Sequence, residues 1–170
     1  MAIPESALEL ARQQIVAARD YSLSLLADVE DPQWYVRPAG CPSHIAWQVG
    51  HLAMAQYFLT LMRIRGRQPE DEALIDKDFL RLFQKGSEPD PDPTVYPSVS
   101  ELRSVLDRVH QRCLEELPGF GGALLEEPLP APYFGYPNKL GSLLFCAAHE
   151  MLHAGQIGLI RRQLGKNPLR

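Results

Sequence analysis

Apolar residues recur along the chain every three or four positions, which is the spacing of amphipathic helices. This pattern predicts four long helices bounded by turn and capping residues. The first begins at Pro4, which a helix tolerates in its first turn, and the last ends before Gly165. No alternating β-pattern of any length stands out, so an all-α protein is expected. The four predicted helices span residues 4–29, 43–65, 98–117 and 138–164.

The connection between the second and third predicted helices is long and covers residues 67–97. A crossover of this length joins helices that point in the same direction. We therefore expect a four-helix bundle in which the second and third helices run parallel and the second and fourth run antiparallel. The crossover holds a short helical pattern at residues 71–83 and then an acidic, proline-rich run typical of a solvated linker. At 170 residues, the chain is expected to form a single domain over residues 1–170.

The fourth predicted helix carries the sequence HEMLH, which contains His149, Glu150 and His153. Histidines four residues apart lie one above the other on one helix face, so both imidazoles can bind the same metal ion. The preceding run LLFCAA is apolar, which predicts a protected site where an unpaired polar group is costly. The motif is also the signature of zinc peptidases, in which the glutamate is the general base.

The HEMLH motif has two other interpretations, a zinc peptidase and a pair of histidines without a metal. Zinc peptidases usually take a third ligand downstream, but no His, Cys, Asp or Glu follows His153. The peptidase interpretation is therefore disfavoured, and any third ligand must come from upstream. The other alternative is a pair of histidines satisfied by hydrogen bonds in a core or at a surface, with no metal.

The best upstream candidate for a third ligand is His51 in the second predicted helix. His44, Gln48 and His51 fall at i, i+4 and i+7, which places them on one face of a mostly apolar helix. His44 lies about two turns from His51, too far to share an ion, and is expected at a pocket rim or facing solvent. His110 in the third helix is a weaker candidate that can simply face water.

Composition narrows the expected location and partners. A net charge of −4 argues against nucleic-acid binding as the main role. No signal-peptide pattern opens the chain, and no uninterrupted apolar span of membrane-crossing length is evident. Three cysteines without metal-type spacing are typical of reduced thiols, so a cytoplasmic protein with no membrane partner is expected. Cys146, one turn before His149, is either a small buried residue or a pocket thiol.

Other residues can border a pocket beside the predicted histidines. A proline-rich loop brings Tyr133, Phe134 and Tyr136 just before the fourth helix, where they either cap a substrate pocket or cover the bundle end. Arginine side chains can bind a carboxylate if they face the mouth of this pocket. The candidates are Arg63, Arg65, Arg161 and Arg162.

Two stretches of the chain resemble the DinB-like superfamily of metal-binding bundles. One lies within residues 34–65 and reads PSHIAWQVGHLA, and the other lies within residues 141–168 and reads HEMLHAGQIGLIRRQLG. The resemblance implies a four-helix bundle of up-down-down-up topology, often a homodimer, with a three-histidine metal site. The matching positions are His51, His149 and His153, and Gln156 fits the residues that follow the last ligand. Residues 66–137 do not visibly match, and substrate specificity is expected there.

The resemblance also implies a reaction class. Family members with known roles are thiol-dependent transferases and isomerases that use mycothiol, bacillithiol or glutathione-like cosubstrates. Three neutral imidazoles leave an open coordination position, as in catalytic zinc sites. The leading expectation is therefore an enzyme that uses a divalent ion and a low-molecular-weight thiol on a small electrophilic substrate. Zinc, nickel, manganese and iron all suit imidazole ligands, so the ion is not identified.

Alternatives to this reaction remain open. One is a metal-dependent hydrolase that uses a bound hydroxide, and another is a non-catalytic bundle that binds a metal or a small ligand. Glu150 lies about 100° around the helix from His149. It is expected to act as a general base, to orient a ligand, or to form a surface ion pair.

Overall fold

The computed structural model describes residues 5–90 and 92–169, except for the side chain of Tyr133. The chain is mostly helical, as predicted, and the start predicted at Pro4 lies outside the described residues. The helices are α1 (Glu5–Leu26), α2 (Ile45–Gln56), α3 (Arg63–Arg65), α4 (Asp71–Leu74), α5 (Lys77–Leu82), α6 (Val99–Glu116), α7 (Gly122–Glu126) and α8 (Lys139–Gln163). Short 3₁₀ helices cover Asp31–Tyr35, Pro93–Val95 and Leu117–Gly119.

The second predicted helix is one helical run that contains a wider π-helical segment. This segment, Tyr57–Met62, joins α2 directly to α3. The Ser142 hydroxyl of α8 donates a hydrogen bond to the Leu59 carbonyl inside it, at 2.8 Å. Such π turns interrupt the ordinary helical pattern and often occur beside functional sites.

The core forms where the long helices meet. α1 packs against α8, and α2 packs against both α6 and α8. α2 is buried on nearly all sides, and only Trp47 among its residues is partly exposed. A helix in this position removes apolar surface from water around its whole circumference, which is the main stabilising term in folding.

Capping residues explain where the long helices start. The Ser98 side chain accepts a hydrogen bond from the Glu101 N–H at the start of α6, and Asn138 accepts one from Gly141 at the start of α8. Both starts match the sequence-based prediction. At α2 the cap is His44, whose Nδ1 accepts from the Trp47 N–H.

The prediction that His44 faces solvent or a pocket rim is wrong. His44 is fully buried, and its Nε2 lies 3.3 Å from the Asp90 carbonyl oxygen of the crossover. Its ring also meets the edge of the Tyr96 ring, with centroids 4.9 Å apart. One residue therefore both caps α2 and fixes the crossover against it.

A β-hairpin precedes α8, where no strand was predicted. Strand β1 (Pro128–Tyr133) pairs antiparallel with β2 (Tyr136–Asn138). The prolines of β1 hide the alternating pattern, since proline is uncommon in strands. Phe134 and Gly135 form the two-residue turn, and both have positive φ angles, of 51° and 83°.

The helix α8 is long and apolar enough to cross a membrane by length and composition alone, which the sequence analysis did not anticipate. In the folded chain it packs against α1 and α2 and buries Glu150 and Arg161 in ionic contacts. The core helix of a folded domain has the same composition, so this feature carries little weight for a membrane location.

The packing of Gly50 predicts a stability defect. A Cβ at this position in α2 would lie 2.4 Å from the ring of Phe83, which is completely buried. Gly50→Ala should therefore lower the free energy of unfolding by about 1–3 kcal/mol through overpacking. At Gly158 in α8 the added Cβ meets only Leu25, at 3.9 Å. Gly158→Ala is the control and should stabilise the chain by roughly 0.5–1 kcal/mol. Equal free energies of unfolding for the two variants in chemical denaturation would contradict this account.

Candidate metal centre

Three histidines from two helices meet in one cluster. His51 comes from α2, and His149 and His153 come from successive turns of α8. One ring nitrogen of each lies within 4.8 Å of the others. The His51 ring centroid is 5.3 Å from that of His149 and 4.7 Å from that of His153. The predicted convergence of these three residues is present, and it forms a possible metal site.

Hydrogen bonds orient two of the three imidazoles. His51 Nδ1 lies 2.8 Å from the carbonyl oxygen of Phe83, and His153 Nδ1 lies 2.5 Å from Oε1 of Gln48. Since both partners are acceptors, each Nδ1 carries the proton and each Nε2 keeps its lone pair. Metal-binding histidines are held in this way, with the second ring nitrogen donating to a carbonyl or carboxyl group.

Gln48 is itself held in place. Its Nε2 donates to Oε1 of Gln156 on α8, at 2.9 Å. The polar line predicted on α2 therefore meets a matching line on α8. Gln48 and Gln156 lie outside the three-histidine cluster and fix the ring of His153.

Burial keeps the cluster uncharged. Desolvation, with a smaller contribution from His51, lowers the pKa of His149 to about 4. Desolvation also lowers the pKa of His153 to about 3, with contributions from His149 and His51. Burial lowers the pKa of His51 as well, against a raising effect of the Phe83 carbonyl. All three rings are therefore neutral near pH 7, which is the protonation state that binds a metal.

The cluster opens into a cavity of about 740 Å³. Its wall is largely apolar, and the indole of Trp47 stacks on the His51 ring at 4.8 Å and an angle of 9°. This size and character are typical of small-molecule sites. The lining residues are Trp47, His51, Met54, Ala55, Phe58, Leu59, Arg63, Gln84, Lys85, Gly86, Phe134, Phe145, His149 and His153.

Among the described side chains, the proline-rich loop contributes an aromatic residue to this cavity. Phe134 at the hairpin turn lines the cavity, and its ring lies 4.7 Å from that of Phe145. Tyr136 instead lines a groove between α1 and α8. The prediction for Tyr133 concerns a side chain outside the described part of the structure. Of the predicted aromatic cap, Phe134 is therefore at the site.

Glu150 is directed away from the cavity and into the core. Its Oε1 accepts from Arg19 Nε at 2.7 Å, and both side chains are about 3% exposed. Arg19 also donates to Gln56 Oε1 and to the Leu106 carbonyl. The expected surface pair is thus a buried pair. The general-base role stays a prediction, and these contacts favour a structural one.

Most of the remaining candidates lie away from the cavity. His110 is buried, and its Nδ1 lies 3.0 Å from Gln56 Nε2. Cys146 is buried, and burial raises the pKa of its thiol well above the usual value. Of the predicted arginines, Arg63 lines the cavity, whereas Arg65 pairs with Asp71 and Glu116.

Several residues of the site were not predicted from the sequence. Phe83 acts through its backbone carbonyl, and Gln84, Lys85 and Gly86 reach the cavity from the crossover. Backbone acceptors and loop residues follow no periodic pattern, so no sequence signal marked them. Arg19 carried a signal, because it lies four residues after Ile15 and three before Ser22 on the buried stripe of α1.

The residues present fit a divalent metal ion. They supply three neutral nitrogen donors from a rigid pair of helices, and hydrogen bonds orient two of the rings. No carboxylate or thiol belongs to the cluster among the described residues. Imidazole donors of this kind suit zinc and several other divalent transition metals.

The molecule is mostly helical and carries a three-histidine cluster that faces a largely apolar cavity. The DinB superfamily matches the chain over residues 14–157. The chain therefore belongs to the DinB superfamily, which confirms the resemblance found in the sequence.

Comparison with solved structures supports the fold. The chain is similar to the crystal structure of a conserved protein from Enterococcus faecalis, with a TM-score of 0.73 and 16% sequence identity. The similarity covers 93% of this chain and 97% of that one. A search of curated proteins finds no match.

The buried ion pair generates a prediction about Glu150. Glu150→Gln removes the charge that compensates Arg19 in the core, so the free energy of unfolding should fall by about 3–5 kcal/mol. Glu9→Gln is the control, because Glu9 pairs with Arg12 at an exposed site, where ion pairs contribute little. Chemical denaturation measures both variants. A Glu150→Gln protein as stable as the unmodified chain would rule out the structural role.

Proposed function

We propose that this chain is a metal-dependent enzyme that joins a low-molecular-weight thiol to a small electrophilic substrate. The observation that carries the proposal is the group of three neutral imidazoles at the wall of a cavity sized for a small molecule. Membership of the DinB superfamily supports it. The proposed ligands of a divalent ion are His51, His149 and His153. Zinc, nickel, manganese and iron all remain candidates.

The proposed architecture is a four-helix bundle with up-down-down-up order and a crossover between the second and third long helices. Hydrogen bonds from Gln48 to Gln156 and from Ser142 to Leu59 support an antiparallel arrangement of α2 and α8. The contacts of Gln56 with His110 and of Arg65 with Glu116 support parallel directions for the run from α2 to α3 and for α6. The pairs Arg19–Glu150 and Leu25–Arg161 support parallel directions for α1 and α8.

The residues of the site have distinct proposed roles. The three imidazoles would hold the ion through ring nitrogens. Hydrogen bonds to Phe83 and Gln48 keep the Nε2 atoms of His51 and His153 free of protons. When bound, a divalent ion supplies positive charge that lowers the pKa of a thiol or a water molecule. Trp47, Phe58 and Phe145 form the apolar wall that excludes bulk water from the reacting groups. In the proposed reaction the thiol gives up its proton to the solvent, and its sulfur forms a bond to the electrophilic carbon of the substrate. The bond from that carbon to the leaving group breaks, and the leaving group departs with the electron pair of that bond.

The metal assignment predicts the metal content of four variants. His149→Ala and His153→Ala should lose the single equivalent of ion, because each removes one of three ligands. Gln48→Ala should weaken metal affinity roughly 10–100-fold, since it releases the ring of His153. His110→Asn is the matched control, a buried histidine outside the cluster, and should keep its ion. Elemental analysis and chelator competition measure these values, and full retention in both alanine variants would refute the site.

The reaction class predicts thiol-dependent turnover. A screen of small electrophiles with mycothiol, bacillithiol and glutathione should find an activity that a chelator abolishes and a divalent metal restores. Turnover that needs the metal but no thiol would favour a hydrolase instead. Chelator-sensitive cleavage of unstructured peptides would favour a peptidase. Metal binding with no turnover in any of these assays would favour a non-catalytic bundle.

We also propose a homodimer, a small-molecule substrate, and a cytoplasmic location with no nucleic-acid or membrane partner. Exposed apolar side chains on α8 support the dimer, because such patches often mark interfaces. Met151, Leu152 and Leu159 are the large exposed apolar residues of this helix.

The dimer proposal predicts that Met151→Glu yields a monomer, because a carboxylate would be buried without a partner in an apolar interface. Light scattering at micromolar concentration should report a dimer for the unmodified chain. Lys166→Glu, on a partly buried residue past α8 and outside the patch of exposed apolar residues, is the control and should remain dimeric. A monomeric unmodified chain would overturn the proposal.

A further inference from the structure

Two basic residues line the cavity beside the histidines, although the chain as a whole is acidic. The chain carries 21 acidic and 17 basic residues, for a net charge of −4. Arg63 and Lys85 nevertheless line the cavity, and no acidic residue of the described chain does. The charged side chains that line the cavity in the described part of the chain are therefore basic. A low-dielectric cleft that is lined by charges of one sign attracts ligands of the opposite charge.

The two cations occupy different ends of the cavity. Lys85 follows Phe83 by two residues, and the Phe83 carbonyl contacts His51, so Lys85 comes from the segment beside the cluster. Arg63 lies twelve residues beyond His51, at the end of the π-helical segment, roughly 18 Å farther along the helix axis. Arg63 lines the same cavity, and a guanidinium can bind a carboxylate through two parallel hydrogen bonds.

Apolar and aromatic side chains fill the space between the two ends. Phe58 and Leu59 come from the π-helical segment, Phe145 from α8, and Phe134 from the hairpin turn. Phe134 is 73% exposed and has a φ of 51°, a backbone conformation that is costly for a bulky residue. An exposed aromatic ring in a strained turn at a cavity mouth is typical of a residue retained for ligand contact.

We infer that the substrate site takes an elongated organic acid, with its anionic group on Arg63, its apolar body against Phe58, Phe134 and Phe145, and its reactive end at the histidines. This inference rests on the proposed function only in taking this cavity as the substrate site. It narrows the ligand from any small electrophile to an anion with an apolar body. Bulky cations are excluded by the charge of Arg63 and Lys85, and small inorganic anions leave the apolar wall uncovered.

Binding to the metal-free protein tests the inference without requiring catalysis. The probes are 4-phenylbutyrate, 4-phenylbutanol and 4-phenylbutylamine, which share one apolar body and differ in charge. Calorimetry on chelator-treated protein should give an affinity for the acid roughly ten-fold or more above that for the alcohol, as expected for a charge-assisted contact. The amine should bind most weakly. Raising the salt concentration should weaken binding of the acid and leave the alcohol unchanged.

Substitutions assign the contacts. Arg63→Gln should reduce the affinity for the acid to that for the alcohol, whereas Arg63→Lys should keep most of the preference. Arg81→Gln changes the net charge equally on an exposed residue outside the cavity and should have no effect. Phe134→Ala should weaken the binding of the acid and the binding of the alcohol by similar factors. Thermal unfolding checks that each variant is folded, and the Lys variant keeps the test valid if the Gln variant is not.

Three results would overturn the inference: equal affinity for the acid and the alcohol, no detectable binding of any probe, or an unchanged acid preference in folded Arg63→Gln protein. These results are distinct from failure of the proposed function, which is measured by metal content and thiol-dependent turnover. A chain that binds no metal but prefers the acid through Arg63 would retain the anion site and lose the enzyme assignment.

Discussion

The arrangement of the long helices depends on the hydrogen bonds that the guanidinium of Arg19 donates. From α1 it donates hydrogen bonds to Glu150 of α8, to Gln56 of α2 and to the carbonyl of Leu106 in α6. It is only 2% exposed, so each bond forms where water cannot replace it. A charge this deeply buried is tolerated only when its partners are in place. One side chain thus requires the four long helices to keep one relative position.

The polar interior has two neighbouring parts with different chemistry. One is the ionic network of Arg19 and Glu150, which is fully paired and faces the core. The other is the cluster of His51, His149 and His153, which is neutral and faces a cavity. Adjacent residues of one helix serve both parts, because successive side chains point about 100° apart around the axis. The ionic network thereby holds α8 in the rotation that presents its histidines to α2.

Segments without regular periodicity form the edges of the site. The crossover supplies the Phe83 carbonyl and the side chain of Lys85, the hairpin supplies Phe134, and the π-helical segment supplies the wall near Arg63. The helices therefore hold the proposed metal ligands, whereas loops and an irregular turn form part of the wall of the cavity that these residues face. Such a division is common in enzymes, where a stable scaffold positions reactive groups and loops set specificity.

The sequence by itself determined the long helices, their starts near Ser98 and Asn138, and the three histidines, because helical periodicity and capping act between residues close in the chain. Only the tertiary structure decided that Glu150 faces Arg19 and not the cavity, that His44 is buried, and that a proline-rich loop forms a hairpin. It also decided which backbone carbonyl orients His51. These outcomes depend on which side chains from distant segments compete for the same buried partners. Local sequence patterns do not predict the outcome of that competition, because the partners meet only when the helices pack together.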